Sequence, residues 1–429
     1  MKRLILAIMA LALSSTLYAQ EFNDNFKDGT LRIDYTFMGN ATEQYVALRD
    51  MSYTDNWYGR RINLDNVPLL GNGDLTLRDS NSGKVIYKTS FSSLFQEWIT
   101  TPEALETTKS FEFTLLVPMP LNPATATLVL RDNTGKESVH TYTINPNDAL
   151  IRNRTKQEPL PYKYIHKGGD SKECIDVVIL AEGYKAEEME TFMADAILTK
   201  KEILRYEPFR SHSEKFNFIA VTTPSLDSNV SVPQSGDWRD TAVSSNFMTF
   251  YMARYLTSGN VYDMYDLVTN IPCEHFIILA NTDTYGGGGI YNSYTLTTAH
   301  HPAFRPVVVH EFGHSFGGLG DEYFYLTSDN NDEMHSLNHE PWEPNITTLV
   351  DFNSKWADMV GAGIEIPTAV TPDRTKNYVV GVYEGGGYRA KGIYRPTDVC
   401  RMRDNTAERF CPVCERALEQ VILHQTVEE

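Results

Sequence analysis

Residues 307–323, VVVHEFGHSFGGLGDEY, constrain the fold more tightly than any other stretch of the chain. His310 and His314 are four residues apart, and they share a face only if the backbone between them is helical. Three valines ahead of them supply apolar helix, and Gly317 with Gly318 stops it, because glycine tolerates the left-handed exit from a helix end. The fold must therefore offer two imidazoles from one helical face and then turn sharply, with Asp321 and Glu322 on the returning segment. His-Glu-x-x-His on a helix is a zinc-binding pattern, and Glu311 stands where a carboxylate can deprotonate a water polarised by the metal. A catalytic zinc needs a third protein ligand and an open position. Asp321 is the favoured third ligand, with Glu322 or a distant residue as alternatives. Without a metal, the same residues would be two structural histidines and an aspartate that caps a turn.

The helix is expected to sit in the second of two differently textured regions. From about 20 to 150, LRIDYTF, YVALRDMSY, FEFTLLV and TATLVLRD alternate apolar and polar side chains with β-branched and aromatic enrichment, which predicts strands. LTLRDSNSGKVIY (75–87) and LVLRDNTGKESVH (128–140) echo each other as strand, glycine turn and strand, the chemistry of hairpins. A β-sandwich accounts for this region. Residues 151–173 are polar and rich in Pro and Gly and read as a linker. From 174 to 429, apolar strands such as CIDVVILAEGY and EHFIILANTD alternate with helical spacing, predicting an α/β domain on a mixed sheet and an α+β multidomain chain overall. Within it, IYNSYTL (290–296) reads as an exposed edge strand, either one on which an extended peptide can pair or an ordinary solvated edge, and GGGG (286–289) as a flexible rim.

Lys2 and Arg3 precede the apolar run LILAIMALAL and a small residue, Ala19, which predicts a signal peptide over residues 1–19 and export to the periplasm or beyond. No later run is long and apolar enough for a membrane span. The formal net charge is -18, and losing two cations with the signal takes it to about -20. Such a chain is repelled by phosphate backbones, so nucleic acid is not an expected partner. The acidic run SDNNDE (328–333) lacks EF-hand spacing and reads as a solvated loop.

Five cysteines in an exported chain predict one or two disulfides and at least one free thiol. Cys411 and Cys414 form a C-x-x-C, with Cys400 the nearest further thiol. The spacing admits half a structural zinc site, but with no paired histidines following, a disulfide among these three is the expectation. A tyrosine hydroxyl can stabilise a tetrahedral oxyanion, and Tyr323, Tyr388 and Tyr394 are the nearest candidates.

HEFGHSFGGLGDEY, together with ILAEGYKAEEME, PWEPNITT (341–348) and YEGGGYRAKGIYRPTDVCRMRDN followed by FCPVC, resembles the metallo-type IgA peptidase family over roughly residues 160–425. Residues 21–145 are similar to the β-rich domain that often precedes such enzymes. The resemblance implies a metzincin-like fold for the second domain and one catalytic zinc held by His310, His314 and an acidic third ligand. Glu311 would serve as base, and a protein or peptide would be the substrate. The long metzincin pattern puts a third His where this chain has Gly320, one residue before Asp321. The resemblance also implies that Met402, in CRMRD, lies on a tight turn beneath the zinc. The competing reading is a secreted binding protein with a silent site, but an intact Glu311 argues against a relic. Nothing in the sequence specifies immunoglobulin as the substrate.

Overall fold

A computed structural model describes residues 22–326 and 334–426. The expected signal peptide and the SDNNDE loop lie outside the described residues. Among the described residues no helix is long and apolar enough to cross a membrane.

The amino-terminal region is built from β1 (Phe26–Gly39), β2 (Gln44–Asp55), β3 (Gly73–Asp79), β4 (Val85–Phe91), a short helix α1 (Leu94–Trp98), β5 (Lys109–Pro120), β6 (Ala124–Arg131), β7 (Glu137–Ile144) and β8 (Arg152–Asn153). They form two four-stranded sheets, ordered β5-β1-β2-β8 and β4-β3-β6-β7. Alternation is the cause: Leu31, Ile33, Tyr35 and Phe37 of β1 point to one face and share a core with Leu75 and Leu77 of β3 and with Ala126, Leu128 and Leu130 of β6. The two echoing segments are hairpins, β3–β4 and β6–β7, and β3 pairs with β6 so that they lie side by side. Gly83 and Gly135 hold their turns at φ +72° and +81°.

The second region contains β9 (Tyr162–Lys167), β10 (Ile175–Glu182), α2 (Met189–Ile203), β11 (Phe216–Val221), α3 (Val261–Leu267), β12 (His275–Ala280), β13 (Gly287–Ile290), β14 (Tyr294–Thr298), α4 (Phe304–Gly317), β15 (Phe324–Tyr325), β16 (Tyr383–Gly386), β17 (Tyr388–Arg395) and α5 (Pro412–Gln425). Its main sheet is mixed, in the order β13-β14-β12-β10-β11-β9, with antiparallel strands at both edges. Both faces are buried, which explains why its strands read as continuous apolar runs. Ile175, Val177, Ile179 and Ala181 of β10 pack with α2, α4 and α5, whereas Val178 and Leu180 face a second core that includes Val261 and Met264 of α3.

Two expectations are corrected by this topology. Residues 151–173 are not a bare linker: β8 pairs with β2, and β9 closes one edge of the main sheet against β11. Nor is IYNSYTL an edge. Ile290 ends β13, a turn follows, and β14 lies inside the sheet between β12 and β13. The outer position belongs to β13, itself bridged to Tyr255 at Gly287.

The regions are joined by many contacts. Ser92 and Tyr291 exchange hydrogen bonds, Ser92 N–H to the Tyr291 carbonyl at 2.9 Å and Tyr291 N–H to Ser92 Oγ at 2.8 Å. Arg32 pairs with Asp266 at 2.5 Å, and Tyr262 Oη donates to the Tyr35 carbonyl at 2.6 Å.

Candidate active site

Helix α4 covers Phe304–Gly317 as the sequence predicts, with Pro306 in its first turn, where the missing N–H costs little. Val308, Val309, Phe312 and Phe316 anchor it in the core, which turns His310, Glu311 and His314 towards the opening beside β13. Gly318 ends the helix at φ +60°. A Cβ at that position would lie 2.3 Å from Leu69, so close packing against the sandwich also demands glycine.

The glycines of β13 are not a flexible rim. They form a strand pressed against α4: a Cβ on Gly289 would fall 2.3 Å from the Glu311 carbonyl oxygen and 2.8 Å from His314 Cβ. A Cβ on Gly287 would sit 2.9 Å from Glu311 Oε1. Because the first obstacle is helix backbone, Gly289→Ala should push α4 off the sheet and cost about 1–3 kcal/mol, the usual range for overpacking. Denaturant unfolding would measure this, and unchanged stability would contradict the close seat described.

The two imidazoles are aimed by their far nitrogens. His310 Nδ1–H donates to the Arg401 carbonyl at 3.0 Å, and His314 Nδ1–H donates to the Leu319 carbonyl. In the neutral imidazole each Nε2 is therefore left with its lone pair facing inward. The two Nε2 atoms lie 3.0 Å apart, and Asp321 Oδ1 lies 3.0 Å from His310 Nε2 and 3.3 Å from His314 Nε2. Three lone-pair donors thus converge, and Asp321 Oδ1, buried, has no hydrogen-bond partner of its own among the described residues. A proton held between the imidazoles and the carboxylate, or a bound cation, satisfies such an arrangement. Burial pushes the His314 pKa down, but Asp321 outweighs it and lifts it to about 9. Burial pushes the Asp321 carboxyl up, and the two histidines more than reverse this, holding it far below the usual range. The spacing suits a small ion, since ligands about 2.0–2.1 Å from a tetrahedral zinc stand about 3.3 Å from one another.

Glu311 lies outside this donor set, and burial raises its pKa against the lowering pull of His310 and His314. Met402 is fully buried, with Sδ 2.9 Å from where a Cβ on Gly313 would stand, beneath the turn of α4 that carries the histidines. Tyr388 donates its hydroxyl to Asp321 Oδ2. It holds φ +67°, an uncommon conformation for a bulky residue, where it enters β17. Tyr323 stacks near His310, and its hydroxyl accepts from Arg254 at 3.0 Å. Tyr394 is not brought to the centre: its backbone pairs with Thr347 on the far part of β17.

The expected disulfide is absent. Cys400, Cys411 and Cys414 converge as free thiols, with Cys400 Sγ 3.7 Å from Cys414 Sγ, well beyond bonding distance. Glu322 points to these thiols and away from the imidazoles, with Oε1 3.1 Å from Cys414 Sγ.

Three neighbours were invisible in the sequence. Asn345, fully buried, accepts from Gly320 N–H at 2.7 Å and donates to the Gly320 carbonyl and to Glu322 Oε1, each at 2.9 Å, clamping the loop that carries Asp321. Arg254 stands beside Tyr323 and Tyr325. Glu97, from α1 of the sandwich, accepts from the Tyr255 hydroxyl and interacts electrostatically with His314 and Asp321, and burial raises its pKa to about 7. Asn345 lies within PWEPNITT, but nothing in that segment marks it over its neighbours.

Two family profiles match the chain. One, described as IgA Peptidase M64, matches residues 164–378 and 369–422. The chain belongs to the IgA peptidase M64 family. The other profile, Peptidase M64 N-terminus, matches residues 21–141 of the peptidase, the sandwich. No curated protein matches it. The molecule is accordingly a metallopeptidase, with a protein or peptide as substrate. That membership replaces the competing reading of a silent binding protein.

Proposed function

We propose that the peptidase is an exported, zinc-dependent endopeptidase of metzincin-like design, whose metal is held by His310, His314 and Asp321 and whose general base is Glu311. The observation that carries this reading is the convergence of three lone-pair donors within 3.0–3.3 Å, one of them a buried carboxylate oxygen with no hydrogen-bond partner. Two nitrogens and a carboxylate suit zinc. Bound there, zinc would act as a Lewis acid that polarises the scissile carbonyl and the attacking water.

The chain's own residues do the rest. Glu311 takes the proton from water and passes it to the leaving amine, and burial raises its pKa from the ordinary carboxylate value. Arg401 and Leu319 carbonyls fix the imidazole tautomers, and Met402 packs below them. Tyr388 acts as a positioning residue: by holding Asp321 Oδ2 it leaves Oδ1 to face the histidines. Arg254 and Tyr323 supply donors at the rim, where a developing oxyanion can be met.

Tyr388→Phe should weaken metal binding by about 10–100-fold, as losing an outer partner of a ligand does. Metal titration separates this from a direct role on the oxyanion, which would lower kcat with zinc retained. The function itself is tested by exposing a mixed peptide library to the peptidase, to Glu311→Gln and to a chelated sample, and reading new termini by mass spectrometry. New termini that vanish in both controls are the expected result. Termini that survive chelation would end the zinc reading.

A further inference from the structure

A second cluster lies one residue beyond the first. Glu322 Oε1 and the Sγ atoms of Cys400, Cys411 and Cys414 all lie within 4.8 Å of one another, and all four residues are fully buried. The Cys400–Cys414 sulfur separation is 3.7 Å, and Glu322 Oε1 is 3.1 Å from Cys414 Sγ and 3.9 Å from Cys411 Sγ. Thiolates about 2.3 Å from a tetrahedral zinc stand about 3.8 Å apart, and a thiolate and a carboxylate oxygen about 3.5 Å apart. The sulfur separation is close to the first value, and the carboxylate distances fall on either side of the second.

Two of the sulfurs already receive backbone N–H donors. Cys400 Sγ accepts from the N–H groups of Cys411 at 3.3 Å and Met402 at 3.5 Å. Cys411 caps the fourteen-residue helix α5, its Sγ accepting from Cys414 N–H at 3.5 Å, so it lies at the positive end of a helix dipole. A second observation is independent of the thiols. Glu322 Oε2 is buried with no hydrogen-bond partner among the described residues. A disulfide would join two of the three sulfurs and leave both the third thiol and this carboxylate oxygen unanswered. A divalent cation would give the three sulfurs and the Glu322 carboxylate a common partner. The remaining negative charge faces Arg395, itself buried and coupled electrostatically to Glu322.

We propose that Cys400, Cys411, Cys414 and Glu322 bind a second metal ion, zinc by its donor set, as a closed structural site. Four buried protein donors fill a tetrahedral zinc, so no coordination position is open. The ion ties three segments that shape the catalytic centre. Glu322 follows Asp321 and hydrogen-bonds through its N–H to the Met402 carbonyl at 2.9 Å. Cys400 precedes Arg401, whose carbonyl orients His310. The four donors are separate from the catalytic set, so this site stands whether or not that assignment holds.

The test compares the unaltered peptidase, purified without chelator, with His310→Ala/His314→Ala, which clears the catalytic donors. About two zinc equivalents per chain are expected in the first and about one in the second. The retained ion should show sulfur neighbours at about 2.3 Å by zinc K-edge absorption, and a mercurial thiol reagent should release it. If the variant does not fold, absorption on the unaltered protein decides the question by the same sulfur neighbours. A double variant that folds without zinc, or a spectrum with nitrogen and oxygen neighbours only, overturns the proposal, whether the thiols then titrate as free or bridged. If the catalytic assignment is what fails, both proteins carry the same single sulfur-bound zinc.

Discussion

Glu311→Gln should lower kcat/KM on any peptide the enzyme cleaves by about 10²–10⁴-fold, the contribution of a placed general base, and leave the metal content unchanged. Glutamine has nearly the shape of glutamate, so the gap beside Gly287 still accommodates it. It cannot accept the proton. The metal should stay because Glu311 is not among the three converging donors. Kinetics paired with metal analysis on the same preparation decide the matter. A variant that loses its zinc would make Glu311 a ligand, and one that keeps full activity would remove it from the mechanism.

Asp321→Ala is expected to have the other large effect, abolishing both metal retention and activity. Removing this carboxylate leaves two imidazoles with inward lone pairs 3.0 Å apart and nothing anionic to complete the set. It also removes the carboxylate that accepts from the Tyr388 hydroxyl. The loss in affinity should exceed the roughly 10–100-fold that follows from disturbing an outer partner. Glu322 cannot substitute, because its carboxylate is engaged by Asn345 and faces Cys414. Stoichiometric zinc in the purified variant would place the third ligand elsewhere.

The elements written in local pattern were legible. Two hairpins followed from strand alternation interrupted by glycine turns, and α4 followed from an apolar run closed by Gly317 and Gly318. The position of Asp321 beside the two histidines was legible because its distance from His314 along the chain bounds where the loop can return. What failed was everything decided by distant packing. GGGG looked loose because glycine signals freedom, but here it signals an adjacent helix backbone 2.3 Å from a would-be side chain. Cys400, Cys411 and Cys414 suggested a bridge because their fourth companion, Glu322, is 89 residues from Cys411. Glu97 had no local signal at all, since its meaning comes from Tyr255, 158 residues later.

That last contact changes what the amino-terminal sheets are for. A detachable targeting module would meet its enzyme through a polar, separable seam. Here Glu97 faces the electrostatic field of His314, Leu69 fills the space above Gly318, and Ser92 is laced to Tyr291. The sandwich packs directly beside the segment that carries the histidines, so the two halves cannot be traded as independent cassettes. A substitution of Glu97 would be felt electrostatically at His314 and Asp321.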